Sequence, residues 1–250
     1  KPYFCTTSKK VRSMQRDSID FSSSDVGKLF RRFLFPTVMG MVFSAVFVIT
    51  DGIFVGRGIG SDALASVNIV APLFTLGTGL GLMFGMGGSV VASINLAQGK
   101  RRVAEINITQ SLALPALLIA LLSALLIHCH EPLLMLLGTP GELMVPAREY
   151  LVWFTLFLAP LAVFNILMFI VRLDGAPGFA MACNIMAACI NIALDYLFIF
   201  VFEWGLAGAA VATGIGYVVG SGVMLWYMFR RSRTLRFVKL KMSGKSMRLT

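Results

Sequence analysis

The chain has 250 residues, of which 57% are hydrophobic and 14% charged, and its mean hydropathy is +0.82. Soluble domains carry about a quarter charged residues, so this composition excludes a soluble enzyme or binding module and describes a polytopic membrane protein. The net charge of +10 does not point to nucleic acid: twenty of the 22 basic residues lie in 1–32, 98–105, 172–178 and 230–250, and only Arg57 and Arg148 lie elsewhere.

The amino-terminal segment 1–32 is polar and basic, which is not the pattern expected of a cleavable signal peptide. Ser24 and Asp25 read as a helix start, and Val26, Leu29, Phe30 and Phe33 share one face, which predicts a short interfacial lead-in. Six apolar runs then follow at 33–55, 68–97, 106–128, 147–171, 179–202 and 208–229. Each is long enough to cross a hydrocarbon core about 30 Å thick as a helix. None alternates with period two, and helices satisfy their own backbone in lipid, so the fold class is an all-α bundle of six transmembrane helices over 33–229. The basic segment 230–250 closes the chain.

Basic residues collect on the cytoplasmic side of membrane proteins. That places both ends of this chain in the cytoplasm, in agreement with an even helix count, and gives the basic flanks a second role as phospholipid contacts. Gly56, Gly58 and Gly60 are expected to break the chain at the outer surface, with Ser61 and Asp62 capping the second helix. In that helix Gly77, Gly81 and Gly85 recur every four residues, a flat groove where another backbone approaches closely; Gly208, Ala212, Gly216 and Gly220 repeat the device in the sixth span. Pro36, Pro72, Pro115 and Pro160 fall inside spans, and each invites a kink. His128, Cys129 and His130 lie together near a helix end, but no carboxylate or thiol cluster completes a metal site, and they read as interfacial residues.

Nine of the 12 acids fall in the connections or flanks, Glu149 sits at the outer edge of the fourth span, and two lie deeper within spans: Asp51 and Asp195. Both spans run from inside to outside, and both acids sit about 25 Å along them at 1.5 Å per residue, in the outer third. Asn191 is one turn below Asp195 on the same face. Thr213 enters the inward-running sixth span at a similar depth, Tyr150 reaches that level from the fourth, and Asn165 lies deeper on the same helix. Intramembrane acids are costly and usually face a cavity where they carry function. Burial disfavours the charged form of a carboxylate, so such a group can take up a proton; two acids with amide and hydroxyl oxygens can equally hold Na⁺. The bland reading is that both acids cap broken helix segments.

Pro36 and Asp51 followed by VGRGIGSDALASVNIV resemble the opening of a multidrug and toxic compound extrusion (MATE) transporter, and VRLDGAPGFAMACNIMAACINIALDYLFIF with GLAGAAVATGIG resembles that family's fifth and sixth helices. The resemblance covers roughly residues 25 to 240. It implies two six-helix lobes around a central cleft, of which this chain supplies the amino-terminal one, with 230–250 the start of an inter-lobe linker. The other lobe is expected from the same full-length chain or a second copy. The resemblance also implies a bacterial cell-membrane location and export of small amphipathic cations or drugs in exchange for H⁺ or Na⁺, with no cofactor beyond the coupling ion. The coupling-ion network falls on Asp51, Asn191, Asp195 and Thr213, with Tyr150 and Asn165 beside it. Loading of the acids is expected to bend the first helix near Pro36 or the Gly52–Gly60 region. The alternative is a lipid-linked oligosaccharide or polysaccharide flippase of related architecture, which would want a cationic cleft; the spans hold essentially no Lys or Arg. No H-E-x-x-H or G-x-S-x-G motif supports an enzyme.

Overall fold

The computed structural model describes residues 26–232 and 235–238. Ser24, Asp25 and the rest of 1–25 lie outside the described residues, so the helix start expected there does too. Every regular element among the described residues is helical. In chain order they are α1 (Val26–Gly58), α2 (Ser61–Ala97), α3 (Arg101–His128), the short α4 (His130–Leu136), a 3-10 turn (Gly141–Leu143), α5 (Met144–Leu156), α6 (Leu158–Leu173), α7 (Pro177–Asp195) continued by a π turn (Tyr196–Val201), and α8 (Gly205–Arg230). Five spans are single helices, and α5 with α6 forms the sixth, bent by 46°. The chain is a multi-pass membrane protein.

The helices extend beyond the apolar runs because charged and polar residues continue a helix once it leaves hydrocarbon. The lead-in is therefore no separate element: α1 runs unbroken from Val26. The expected break at Gly56, Gly58 and Gly60 falls two residues later than its first glycine: α1 runs through Gly56 and ends at Gly58. Gly60 then turns the chain, with a φ of 131° that other residues rarely adopt. Gly58, the last residue of α1, also lets the helix end lie against Ile199 and Phe200 of the π turn. Ser61 and Asp62 do not cap α2. Ser61 is already helical, Gly60 is the N-cap without a side-chain bond, and the Ser61 hydroxyl donates to Asp62 Oδ1 at 3.2 Å.

Helices α1, α2 and α3 continue through Pro36, Pro72 and Pro115. The fourth span breaks at Phe157 for a local reason. Pro160 has no N–H for the Leu156 carbonyl, and its ring crowds that carbonyl, so the Phe157 N–H turns back to Phe154 O at 3.0 Å and the axis changes direction.

Helix α6 is the centre of the bundle. Leu158, Leu161, Ala162, Phe164, Ile166, Leu167, Met168, Ile170 and Val171 are all buried, which leaves almost no lipid-facing side. The glycines of α2 seat it: a Cβ on Gly81 would stand 2.9 Å from Asn165 Cβ and 3.1 Å from Ala162 O, and one on Gly85 2.9 Å from Ile166 Cα. In α8 a Cβ on Gly216 would stand 3.0 Å from Ala187 O of α7. Both glycine stripes are close-packed seats. Helix α1 is the opposite extreme, with 11% of its most apolar window buried against 56% for α8.

At the basic end, Asp174 in the link between α6 and α7 is only 3% exposed. Its carboxylate accepts from Tyr227 Oη at 3.0 Å and from Ser232 Oγ and the Leu235 N–H, each at 3.1 Å. Leu235 is fully buried, and the Val238 N–H donates to Thr109 Oγ1 at 3.2 Å. The chain beyond α8 is thus fastened across the bundle end rather than leaving it directly.

Candidate functional site

Helices α1 and α7 lie side by side and bring the two intramembrane acids together. Asp195 ends α7 just before the π turn and is fully buried; Asp51 is half-buried on α1. Their carboxyl groups face each other within hydrogen-bonding range. Asn191 is 1% exposed, and its Nδ2 donates to Thr213 Oγ1 of α8 at 3.0 Å. Tyr150 is buried in electrostatic reach of both acids, its ring stacked on Phe154 at 5.7 Å.

The donor and acceptor balance is one-sided. Asp51 Oδ1, both carboxylate oxygens of Asp195 and Asn191 Oδ1 are buried with no hydrogen-bond donor among the described residues. Ionised carboxylates only accept, so the acids cannot satisfy each other, and unpaired buried acceptors cost free energy. A proton shared by the acids turns one of them into a donor. A hard cation such as Na⁺ takes oxygen ligands of this kind. The cluster suits either, and it does not look like a pair of helix caps: α1 runs on beyond Asp51, and Asp195 makes no cap bond to the turn that follows it.

Beside the acids lies a cavity of about 220 Å³ bounded by α1, α2, α6, α7 and α8. Its polar lining comes from Ser44, Thr78, Asn165, Asn184, Asn191 and Thr213, with Tyr217 and several phenylalanines as walls. Asn191 and Thr213 belong to both cavity and acid cluster. Asn165 lines the cavity, and its Nδ2 donates to Leu161 O at 2.9 Å. Pro36 lies toward the basic end of α1. Gly52, next to Asp51, stays helical, and a Cβ there would meet nothing within 4 Å.

Sequence reasoning missed Ser44, Thr78, Asn184 and Tyr217. A signal existed for two of them: Asn184 falls seven positions before Asn191, and Tyr217 four after Thr213, each on the same helix face. Among the described residues no group of three or more His, Cys, Asp or Glu could hold a metal ion, and His130 Nδ1 is tied to Ile127 O at the end of the preceding helix, α3, at 2.9 Å.

The MatE family model matches residues 36–197, the stretch that contains α2, both acids and the broken span. The chain belongs to the MatE family. Among relatives, it is 31% identical over 218 residues to the multidrug export protein MepA of Staphylococcus saprophyticus subsp. saprophyticus, an alignment covering 85% of this chain and 47% of that protein. It is 29% identical to MepA of Staphylococcus aureus strain MRSA252, covering 91% and 51% respectively. A solved structure described as the outward-facing conformation of a multidrug resistance MATE family transporter of the MOP superfamily superposes with a TM-score of 0.82 at 25% identity, over 90% of this chain and 51% of that one. Another, described as MATE in the bent conformation, superposes with a TM-score of 0.81 at 25% identity, over 90% and 50%. The chain thus spans about half the length of the MatE relatives it matches, and its six spans have the MATE arrangement.

Proposed function

We propose that this chain is the amino-terminal lobe of a twelve-helix antiporter that exports amphipathic organic cations in exchange for H⁺ or Na⁺, and that Asp51 and Asp195 bind the coupling ion. The observation that carries this reading is the cluster of four donorless buried oxygens from Asp51, Asn191 and Asp195 beside a cavity. The multidrug export named for its relatives supports the substrate class. One lobe's 220 Å³ is less than the roughly 300 to 1,000 Å³ of a typical ligand pocket, in keeping with a second lobe completing the substrate site. In this scheme the site loads an ion from outside, neutralisation lets α1 bend, and the cavity narrows and releases the drug. Ion and drug need share no contact; each has only to prefer a different state. Tyr150 and Asn165 shape the surroundings. The aromatic and amide lining contains no Lys or Arg to hold lipid phosphates, which disfavours the flippase alternative. The activity is transport, with no covalent step.

Efflux of ethidium from cells expressing the complete reading frame tests the proposal. An imposed H⁺ or Na⁺ gradient should drive efflux, and the effective gradient names the ion. Asp51→Asn and Asp195→Asn should each abolish gradient-driven efflux while the protein still reaches the membrane. Normal pumping by either variant overturns the ion-site assignment.

A further inference from the structure

Asn184 lies on α7 toward the basic end from Asn191 and Asp195. It donates both amide hydrogens to α1: Nδ2 lies 2.9 Å from Gly40 O and 3.0 Å from Ser44 Oγ, and the Ser44 hydroxyl itself donates to Gly40 O at 3.0 Å. The Asn184–Gly40 pair is 144 positions apart in sequence, and Asp195 stands at the same offset from Asp51. Helices α1 and α7 therefore run parallel and in register, joined at two levels, and the cavity wall formed by Ser44, Phe47 and Val48 lies between them.

Pro36 leaves the carbonyl one turn before it without a helical partner, which makes α1 weakest between residues 32 and 36. Gly40 and Ser44 are one and two turns beyond that point. A swing of the outer part of α1 about Pro36 must carry both away from α7. The farther contact, Phe54 edge-on to Phe200 at 5.8 Å, is apolar and tolerates sliding. The Asn184 bonds are directional and do not.

We propose that Asn184 is a positioning residue that clamps α1 to α7, and that its bonds to Gly40 and Ser44 break when α1 bends, so that the clamp sets how much ion is needed to bend it. This rests on the proposed function, since it assigns Asn184 a part in the same ion-driven bend. A clamp made only in the straight state opposes the bend by the free energy of its bonds. Removing it lowers the ion concentration required.

The test uses the complete chain. Asn184→Leu keeps the branched side-chain shape and removes both donors; Ser44→Ala removes one leg. Ethidium efflux is measured against the concentration of the driving ion. In parallel, spin labels at the exposed positions Val42 on α1 and Leu117 on α3 report their separation in nanodiscs. Asn184→Leu should reach half-maximal efflux at about three- to ten-fold lower ion concentration, the size expected for one or two interhelical hydrogen bonds in a membrane. Its label separation without ion should shift toward the ion-loaded wild-type value. Ser44→Ala should move both readouts less, in the same direction, and decides the matter if Asn184→Leu does not reach the membrane. Unchanged ion dependence or unchanged separation overturns the clamp. So does a change confined to the ethidium concentration for half-maximal efflux, which marks a residue that only lines the cavity. Asp51→Asn serves as the reference: if it pumps normally the proposed function itself fails, whereas its loss of pumping beside a wild-type-like Asn184→Leu rejects the clamp alone.

Discussion

Two carboxylates meeting in the apolar interior repel each other and have given up water, so the site is strained until something positive joins it. Thr213 contributes indirectly. Its hydroxyl accepts the Asn191 amide, which fixes the orientation of that side chain, while Asn191 Oδ1 has no donor among the described residues. Thr213→Val keeps the shape and removes that acceptor. The loss of one interhelical hydrogen bond, about 0.6 to 1.7 kcal/mol in membrane proteins, should raise the ion concentration for half-maximal efflux by about three- to twenty-fold with little effect on expression; ion titration of efflux checks this. Asp51, Asp195, Asn191 and Thr213 were legible in the sequence, because acids are rare in spans and helical rise converts position into depth. Asn184 shares a helix face with Asn191, which was legible too, but its bond across to α1 was not, since nothing in an apolar helix distinguishes an asparagine that crosses to a backbone carbonyl from one that serves its own helix.

At the scale of elements, the glycines of α2 decide how near α6 can come. Gly81 and Gly79 make a clean comparison: a Cβ at the first would press on Asn165 and Ala162, and a Cβ at the second meets nothing within 4 Å. Gly81→Ala should lower the melting temperature in detergent, since forcing a methyl into a filled interface costs about 1 to 3 kcal/mol. Gly79→Ala should leave it unchanged or raise it slightly, because Ala is the better helix former. Pro160 governs the bend of the fourth span in the same local way. With Ala there, the Phe157 break can close into a continuous helix, which would displace Tyr150 from the acids. Efflux by Pro160→Ala should therefore fall while the protein remains folded, as judged by its melting curve.

For the whole molecule, the clasp at Asp174 determines where the chain goes after α8. Asp174→Ala removes the acceptor for Tyr227, Ser232 and the Leu235 N–H together. Trypsin should then cleave after the exposed Arg236 several-fold faster than in wild type, because cutting requires the buried Leu235 to come away first. Membrane orientation is a separate question that labelling answers. A cysteine replacing exposed Gln98 should react only with reagents that enter the cell, and one replacing exposed Glu142 with impermeant reagents outside.

The sequence by itself determined the class, the six spans and the pair of acids, because each depends on a local property: apolar length, charge asymmetry, or a charge where hydrocarbon should be. Tertiary structure alone decided that Gly58 seats the end of α1 against Ile199 and Phe200, that Asp174 is a buried anchor and not a surface charge, and that Asn184 reaches across to α1. Each of these turns on which neighbour occupies the space beside a residue. That neighbour comes from a distant part of the chain, and no local pattern encodes it.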